Sequence, residues 1–181
     1  MEVTPASVAE RIRRDPWWFV ETFLGGQCLF DKQRHILESM RDFKETYVKA
    51  CHSSTKTWTV GRAVLAWLYA YPHDSKVLTT APTWPQVEDL LWREVASAYA
   101  ASASRYPLGG RLLKTQFELG PQWFAKGQSS DRGVNIQGLH ATNLLVIVDE
   151  ADGVSKETWE ALDRLLTSEN SHLLAIGNPH A

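Results

Sequence analysis

Leu144-Leu145-Val146-Ile147-Val148-Asp149-Glu150 is the stretch that decides how this chain folds. An unbroken apolar run of this length specifies a strand buried on both faces, which is the habit of a parallel sheet held between two layers of helices. Two carboxylates close the run. Working outward, Thr46 to Ala50 reads as a short upstream strand, Lys76 to Thr80 as a second, and His172 to Ile176 as a last strand before Gly177-Asn178-Pro179. Helical spacing fills the intervals. Val60, Val64, Trp67, Leu68 and Tyr71 share one side of a helix over 57–71. Trp84, Val87, Leu91 and Val95 form the stripe of a helix that begins near Thr83, and another spans about 155–166. Strands alternating with amphipathic helices give an α/β class with a central, mostly parallel sheet flanked by helices.

Three further helices precede the first strand. Thr4-Pro5-Ala6-Ser7 is a helix entry, and Pro16 interrupts before an apolar cluster from Trp17 to Leu24 that Gly25-Gly26 closes. Asp31 opens the third, with Ile36, Met40 and Phe43 at helical spacing. Past the middle, small residues dominate 96–104. The stretches 111–119 and 122–126, joined at Gly120-Pro121, read as an added β-hairpin, and 127–135 reads as a polar, mobile loop.

Composition narrows the function classes. The 181 residues are 44% hydrophobic and 22% charged, which excludes a disordered or fibrous chain. Nineteen basic against twenty-one acidic residues give a net charge of −2, so any contact with nucleic acid is local or made by an assembly. Cys28 and Cys51 fit no zinc spacing and no disulfide framework, which points to a reducing cytosolic compartment. No apolar run follows Arg11, Arg13 and Arg14, so no signal peptide is expected, and no stretch approaches a membrane span.

In an open parallel sheet, ligands gather outside the carboxyl ends of the strands, and three such ends carry polar residues here. Ala50-Cys51-His52-Ser53-Ser54-Thr55-Lys56-Thr57 lies between a strand and a helix, the place of a phosphate-binding loop. There the backbone N–H groups of Ser53, Ser54 and Thr55 point at phosphate, Lys56 reaches the β/γ oxygens of ATP, and the Thr57 hydroxyl sits on Mg²⁺. Both glycines of the usual motif are replaced, by Ala50 and Thr55, and a β-branched residue at 55 resists unusual backbone angles. At the second strand end, Asp149 is suited to Mg²⁺ and Glu150 to activating the attacking water. At the third, Asn178 places an amide near a γ-phosphate or its water. Upstream, Gln33 within Asp31-Lys32-Gln33-Arg34 offers both a donor and an acceptor to an adenine edge. Taken singly, each feature is also an ordinary helix start, strand end or turn; their order and placement give them weight.

Together these motifs resemble the ATPase domain of the large terminase subunits of tailed phages, the motors that package DNA. The resemblance rests on Asp31-Lys32-Gln33-Arg34, Lys56-Thr57, Thr80-Ala81-Pro82-Thr83, Leu91-Trp92-Arg93-Glu94, Gly138-Leu139-His140, Val146 to Ala151 and Gly177-Asn178-Pro179, and covers nearly the whole chain. It implies a P-loop NTPase of the additional-strand, catalytic-glutamate type, with residues 1–44 as N-terminal helices and adenine-side segment and 45–181 as the ATPase core, together one ATPase domain. It also implies ATP and Mg²⁺ as ligands, double-stranded DNA as partner, a homo-oligomeric ring when assembled, contacts with the portal and the small terminase subunit, and the host cell cytoplasm as location. The nuclease domain of full-length terminases is expected to be absent. Arg132 lies in the region from which such rings offer a trans-acting arginine to a neighbour's phosphates, with Arg93 and Arg111 as weaker candidates. The competing readings are a helicase-like nucleic-acid translocase, and a nucleotide-binding assembly module in which Thr55 impairs hydrolysis.

Overall fold

The computed structural model describes residues 5–26, 31–50 and 55–178. Three helices, α1 (Pro5–Arg14), α2 (Pro16–Phe23) and α3 (Asp31–Asp42), precede strand β1 (Glu45–Lys49) and helix α4 (Lys56–Ala70). Strand β2 (Ser75–Ala81) leads into a wide π-helical turn, Gln86–Leu91, and then α5 (Trp92–Ala103). Strands β3 (Arg111–Leu112), β4 (Gln116–Gly120) and β5 (Trp123–Ser129) follow, then β6 (Asn143–Asp149), α6 (Lys156–Asp163) and β7 (Asn170–Gly177).

All seven strands form one sheet in the order β1-β7-β6-β2-β5-β4-β3. The first five in that order run parallel, whereas β3 and β4 are antiparallel additions hung from β5. Strand β7 is thus inserted between the strand that leads into 50–57 and the strand that ends in Asp149. The run 144–148 behaves as its apolar continuity demands. Leu145 and Ile147 enter the core shared with α4 and α5, while Leu144, Val146 and Val148 face the opposite core under Leu162 and Leu165, and all five are fully buried. The N-terminal helices join the first core: Ile12, Trp17, Phe19, Leu24 and Leu37 pack with Val60, Val64 and Trp67 of α4.

The small-residue stretch from Ala96 belongs to α5 as far as Ala103, with Val95, Ala98 and Ser102 on the buried side of the helix, and α5 packs closely on α4. At Gly61 that approach is so close that a Cβ would lie 2.8 Å from the Glu94 carbonyl carbon. The stretch 127–135 is no mobile loop at its start: Gly127, Gln128 and Ser129 complete β5, paired with Thr79, Thr80 and Ala81. Polarity misleads there because Gly127 is the floor on which the Trp92 indole rests, its Nε1 donating to Thr79 Oγ1 at 3.0 Å. The hairpin joined at Gly120-Pro121 is present as β4 and β5, but the strand expected over 111–119 breaks into β3 and β4, which pair antiparallel with each other. Among the described residues no helix is long and apolar enough to cross a membrane.

Candidate functional site

The carboxyl ends of β1, β7 and β6 lie side by side, and each delivers one polar group to a common point. Lys56, the first residue of α4, sends its side chain back towards the sheet, where the ammonium donates to Asn178 Oδ1 at 2.6 Å, Glu150 Oε1 at 3.3 Å and the Ala50 carbonyl at 3.4 Å. Asn178 also donates from Nδ2 to Glu150 Oε2 at 3.3 Å. The lysine side chain is 6% exposed and the glutamate 27%, so a buried cation meets a carboxylate that still faces solvent. Beside the cluster, a Cβ at Gly177 would lie 2.9 Å from Asp152 Oδ1, the mobile end of a side chain on the turn after Glu150.

One residue along, the Thr57 hydroxyl donates to Asp149 Oδ2 at 3.2 Å, and Asp149 Oδ1 accepts the Glu150 backbone N–H at 3.1 Å. Burial pushes the Asp149 carboxyl above the ordinary carboxylate range, and the neighbouring Glu150 charge adds to the rise; the Thr57 hydrogen bond and the Lys56 charge oppose it. Glu150 itself adopts φ 51°, ψ 50°, a left-handed conformation that turns its side chain out of the strand's alternation and opens the short 3₁₀ turn Ala151–Gly153. An extended chain would send the two carboxylates to opposite faces; the turn instead lets them share one end of the sheet.

Thr55 precedes Lys56 with φ 60° and ψ 23°. The β-branched side chain therefore does sit in a backbone region that favours glycine. Its carbonyl accepts both the Thr59 N–H and the Thr59 hydroxyl at 3.1 Å, and its own hydroxyl accepts a hydrogen bond from Gln33 Nε2. Gln33 is 3% exposed in the first turn of α3. It borders a cleft of about 800 Å³ that runs between α3 and β1 past Thr46, Val48 and Ala50 to Lys56.

The structure thus brings together Lys56, Thr57, Asp149, Glu150 and Asn178, with Gln33 and Thr55 beside them. Ser53 and Ser54, with Cys51 and His52, lie outside the described residues. Arg132 does not join the cluster: it is exposed, in the 3₁₀ turn Ser130–Arg132, with its guanidinium 4.5 Å above the Trp84 ring. Sequence reasoning missed how that turn is attached. Ser130 Oγ lies 2.8 Å from Thr158 Oγ1 and accepts the Ser155 N–H at 3.2 Å, and the Asp131 N–H donates to the Pro82 carbonyl at 3.1 Å. Pro82 in turn packs against Gly153, where a Cβ would come within 2.7 Å of its ring. Thr80-Ala81-Pro82-Thr83 signalled a helix entry; nothing in the spacing of Ser130, Ser155 and Thr158 signalled their meeting.

No protein-family model matches the chain. It is 27% identical over 175 residues to the "Probable terminase, large subunit" of Enterobacteria phage P7, an alignment covering 92% of this chain and 35% of that protein. Among solved structures it resembles the HK97 bacteriophage large terminase, with TM-score 0.73 and 18% identity over 93% of this chain and 37% of the other. It also resembles the large terminase ATPase domain of Thermus phage P74-26, with TM-score 0.67 and 20% identity over 90% and 69%. The chain spans about a third of the length of the P7 relative and of the HK97 structure. Sequence relative and fold agree with the resemblance carried by the motifs: the chain has the fold of a large-terminase ATPase domain.

Proposed function

We propose that the chain is the ATP-hydrolysing motor domain of a phage large terminase, powering entry of double-stranded DNA into a procapsid. The observation that carries this reading is the convergence of Lys56, Glu150 and Asn178 from three adjacent strand ends, with the Thr57–Asp149 pair one residue along. The insertion of β7 between β1 and β6 supports the additional-strand, catalytic-glutamate form of the P-loop fold. The cleft beside Lys56 has room for a nucleoside.

The residues present fit Mg²⁺. Thr57 and Asp149 offer hard oxygen donors, and Mg²⁺ takes one or two carboxylates with substrate phosphates and water rather than an all-protein cage. The buried, charge-crowded Asp149 is a carboxylate that a cation would relieve. Bound there, Mg²⁺ would neutralise charge on the phosphates. Lys56 binds the β/γ oxygens of ATP as a point charge, and engaging them draws the ammonium from Glu150 Oε1. Glu150, partly solvent-exposed, then orients and deprotonates the attacking water. Asn178, bonded to both side chains, fixes their separation and offers its amide to the γ-phosphate. Arg132, exposed on a turn anchored to the segment after Glu150, suits a trans-acting role towards a neighbouring subunit in a ring, and portal, small subunit and host cytoplasm follow from the same reading.

The test is phosphate release from Mg²⁺·ATP over a series of protein concentrations, with Glu150→Gln as the paired variant. Expected is release that rises more than linearly with protein concentration, and retained ATP binding with lost turnover in the variant, since its carboxylate acts in the transition state. Release that survives Glu150→Gln sinks the assignment of the base. Binding without release at every concentration would favour an assembly module over a motor.

A further inference from the structure

We infer that Trp84 is a positioning residue for Arg132, its indole the platform that holds the guanidinium outward for a neighbouring subunit. This rests on the proposed trans-acting reading of Arg132. An arginine on a surface turn has many rotamers, and it must give them up to meet a phosphate. Arg132 is not left to sample them: its guanidinium lies over the Trp84 ring, 4.5 Å from the ring centre. Stacking occupies the face of a guanidinium and leaves its in-plane N–H groups to donate, which is the fork that phosphate oxygens accept.

The platform is itself fixed. Trp84 Nε1 donates to Glu88 Oε2 at 2.8 Å, and the Lys114 ammonium, between β3 and β4, closes on Glu88 Oε1 at 2.5 Å. The Glu88 carboxyl is held below the ordinary carboxylate range, by the Lys114 hydrogen bond first and then by the Trp84 bond and the charges of Lys114 and Arg132. On the backbone side, Gln86 Oε1 accepts the Thr83 N–H and the Thr83 hydroxyl, both at 2.9 Å, which caps the helical turn that carries Trp84. The arginine's own turn is tied to the same segment, because the Asp131 N–H donates to the Pro82 carbonyl at 3.1 Å. Both halves of the stack are therefore anchored without it. What the stack alone fixes is the direction of the guanidinium.

Mixed-subunit turnover tests this. Glu150→Gln keeps Arg132 and loses its own base, whereas Arg132→Ala keeps its base and loses the arginine. Mixed at high concentration, the first acts as donor to the second, and phosphate release exceeds the sum of the two alone. Trp84→Leu placed in the Glu150→Gln donor is expected to lower the rescued release by about two- to fivefold, the scale of one exposed cation–π contact. Placed in the Arg132→Ala acceptor it leaves the rescue unchanged, because that subunit has no arginine to position. Trp84→Phe in the donor keeps a ring face and rescues better than Trp84→Leu. Equal loss from Trp84→Leu in donor and in acceptor, the mark of a merely structural role, overturns the inference; so does full rescue by the Trp84→Leu donor. Should Trp84→Leu fail to fold, Glu88→Ala in the donor, which frees the ring, decides alone, and full rescue by it overturns the inference. Absence of rescue in the starting mixture would instead remove the trans-acting reading of Arg132, a failure distinct from these.

Discussion

Replacing Gly127 with alanine drives a methyl group into the Trp92 indole. The Cβ would lie 2.8 Å from Val87 Cγ1 and 2.9 Å from Trp92 Cδ1, with Nε1 closer still, and all three groups belong to fully buried residues that cannot swing aside. Overpacking of this kind costs roughly 1–3 kcal/mol. Displacing the indole also breaks its buried bond to Thr79 Oγ1, for about 1 kcal/mol more. The sum, about 2–4 kcal/mol, is a large share of a typical domain's stability and corresponds to a Tm lower by roughly 5–15 °C at this chain length. Thermal unfolding followed by far-ultraviolet circular dichroism measures it, with Gly109→Ala as control, because nothing lies within 4 Å of a Cβ at that position. An unchanged or higher Tm for Gly127→Ala would refute the placement of Gly127 in β5 under Trp92. That is the outcome a mobile loop at 127–135 would give, since alanine there only restrains the unfolded chain.

Two other substitutions probe charges that the fold buries. Asp149→Asn should raise Tm at neutral pH without Mg²⁺ and nucleotide while weakening Mg²⁺·ATP binding. Its folded carboxyl titrates above the unfolded value, so the ionised form opposes folding at neutral pH, and the gap between the two proteins should close as pH falls through the raised folded value. A gap that widens on acidification would reverse the sign of the argument. Glu94→Ala should cost about 2–3 kcal/mol in urea unfolding, because it strands the Arg62 guanidinium, 5% exposed, bonded to Glu94 Oε2 at 2.6 Å and stacked 4.0 Å over Trp58. An unshifted midpoint would show that the remaining carbonyls and the ring suffice.

The centre of the sheet was legible because 144–148 is a continuous apolar run, and it sends alternate residues to two cores as such a run must. The strand ends were legible too: Lys56, Asp149-Glu150 and Asn178 each follow a strand that sequence alone locates. Thr55 was flagged as a side chain where the backbone needs freedom, and it stands at φ 60°. What sequence hid were contacts between residues distant along the chain. The Gln33–Thr55 bond, the Ser130–Ser155–Thr158 hydroxyls and Pro82 against Gly153 obey no spacing rule, since each pair meets only once the sheet order is set. Gly127 was misread because a glycine under an indole looks, in sequence, like a glycine in a loop.

The most direct test of the phosphate site is equilibrium binding of Mg²⁺·ATP to the parent and to Lys56→Ala, each checked for an intact fold by circular dichroism. The lysine's only ion-pair partner among the described residues is the partly exposed Glu150, so its removal should leave the fold standing while taking away the charge that engages the β/γ oxygens. Saturable Mg²⁺-dependent binding by the parent and its loss in Lys56→Ala is the expected result. Parental affinity in a folded Lys56→Ala would contradict it.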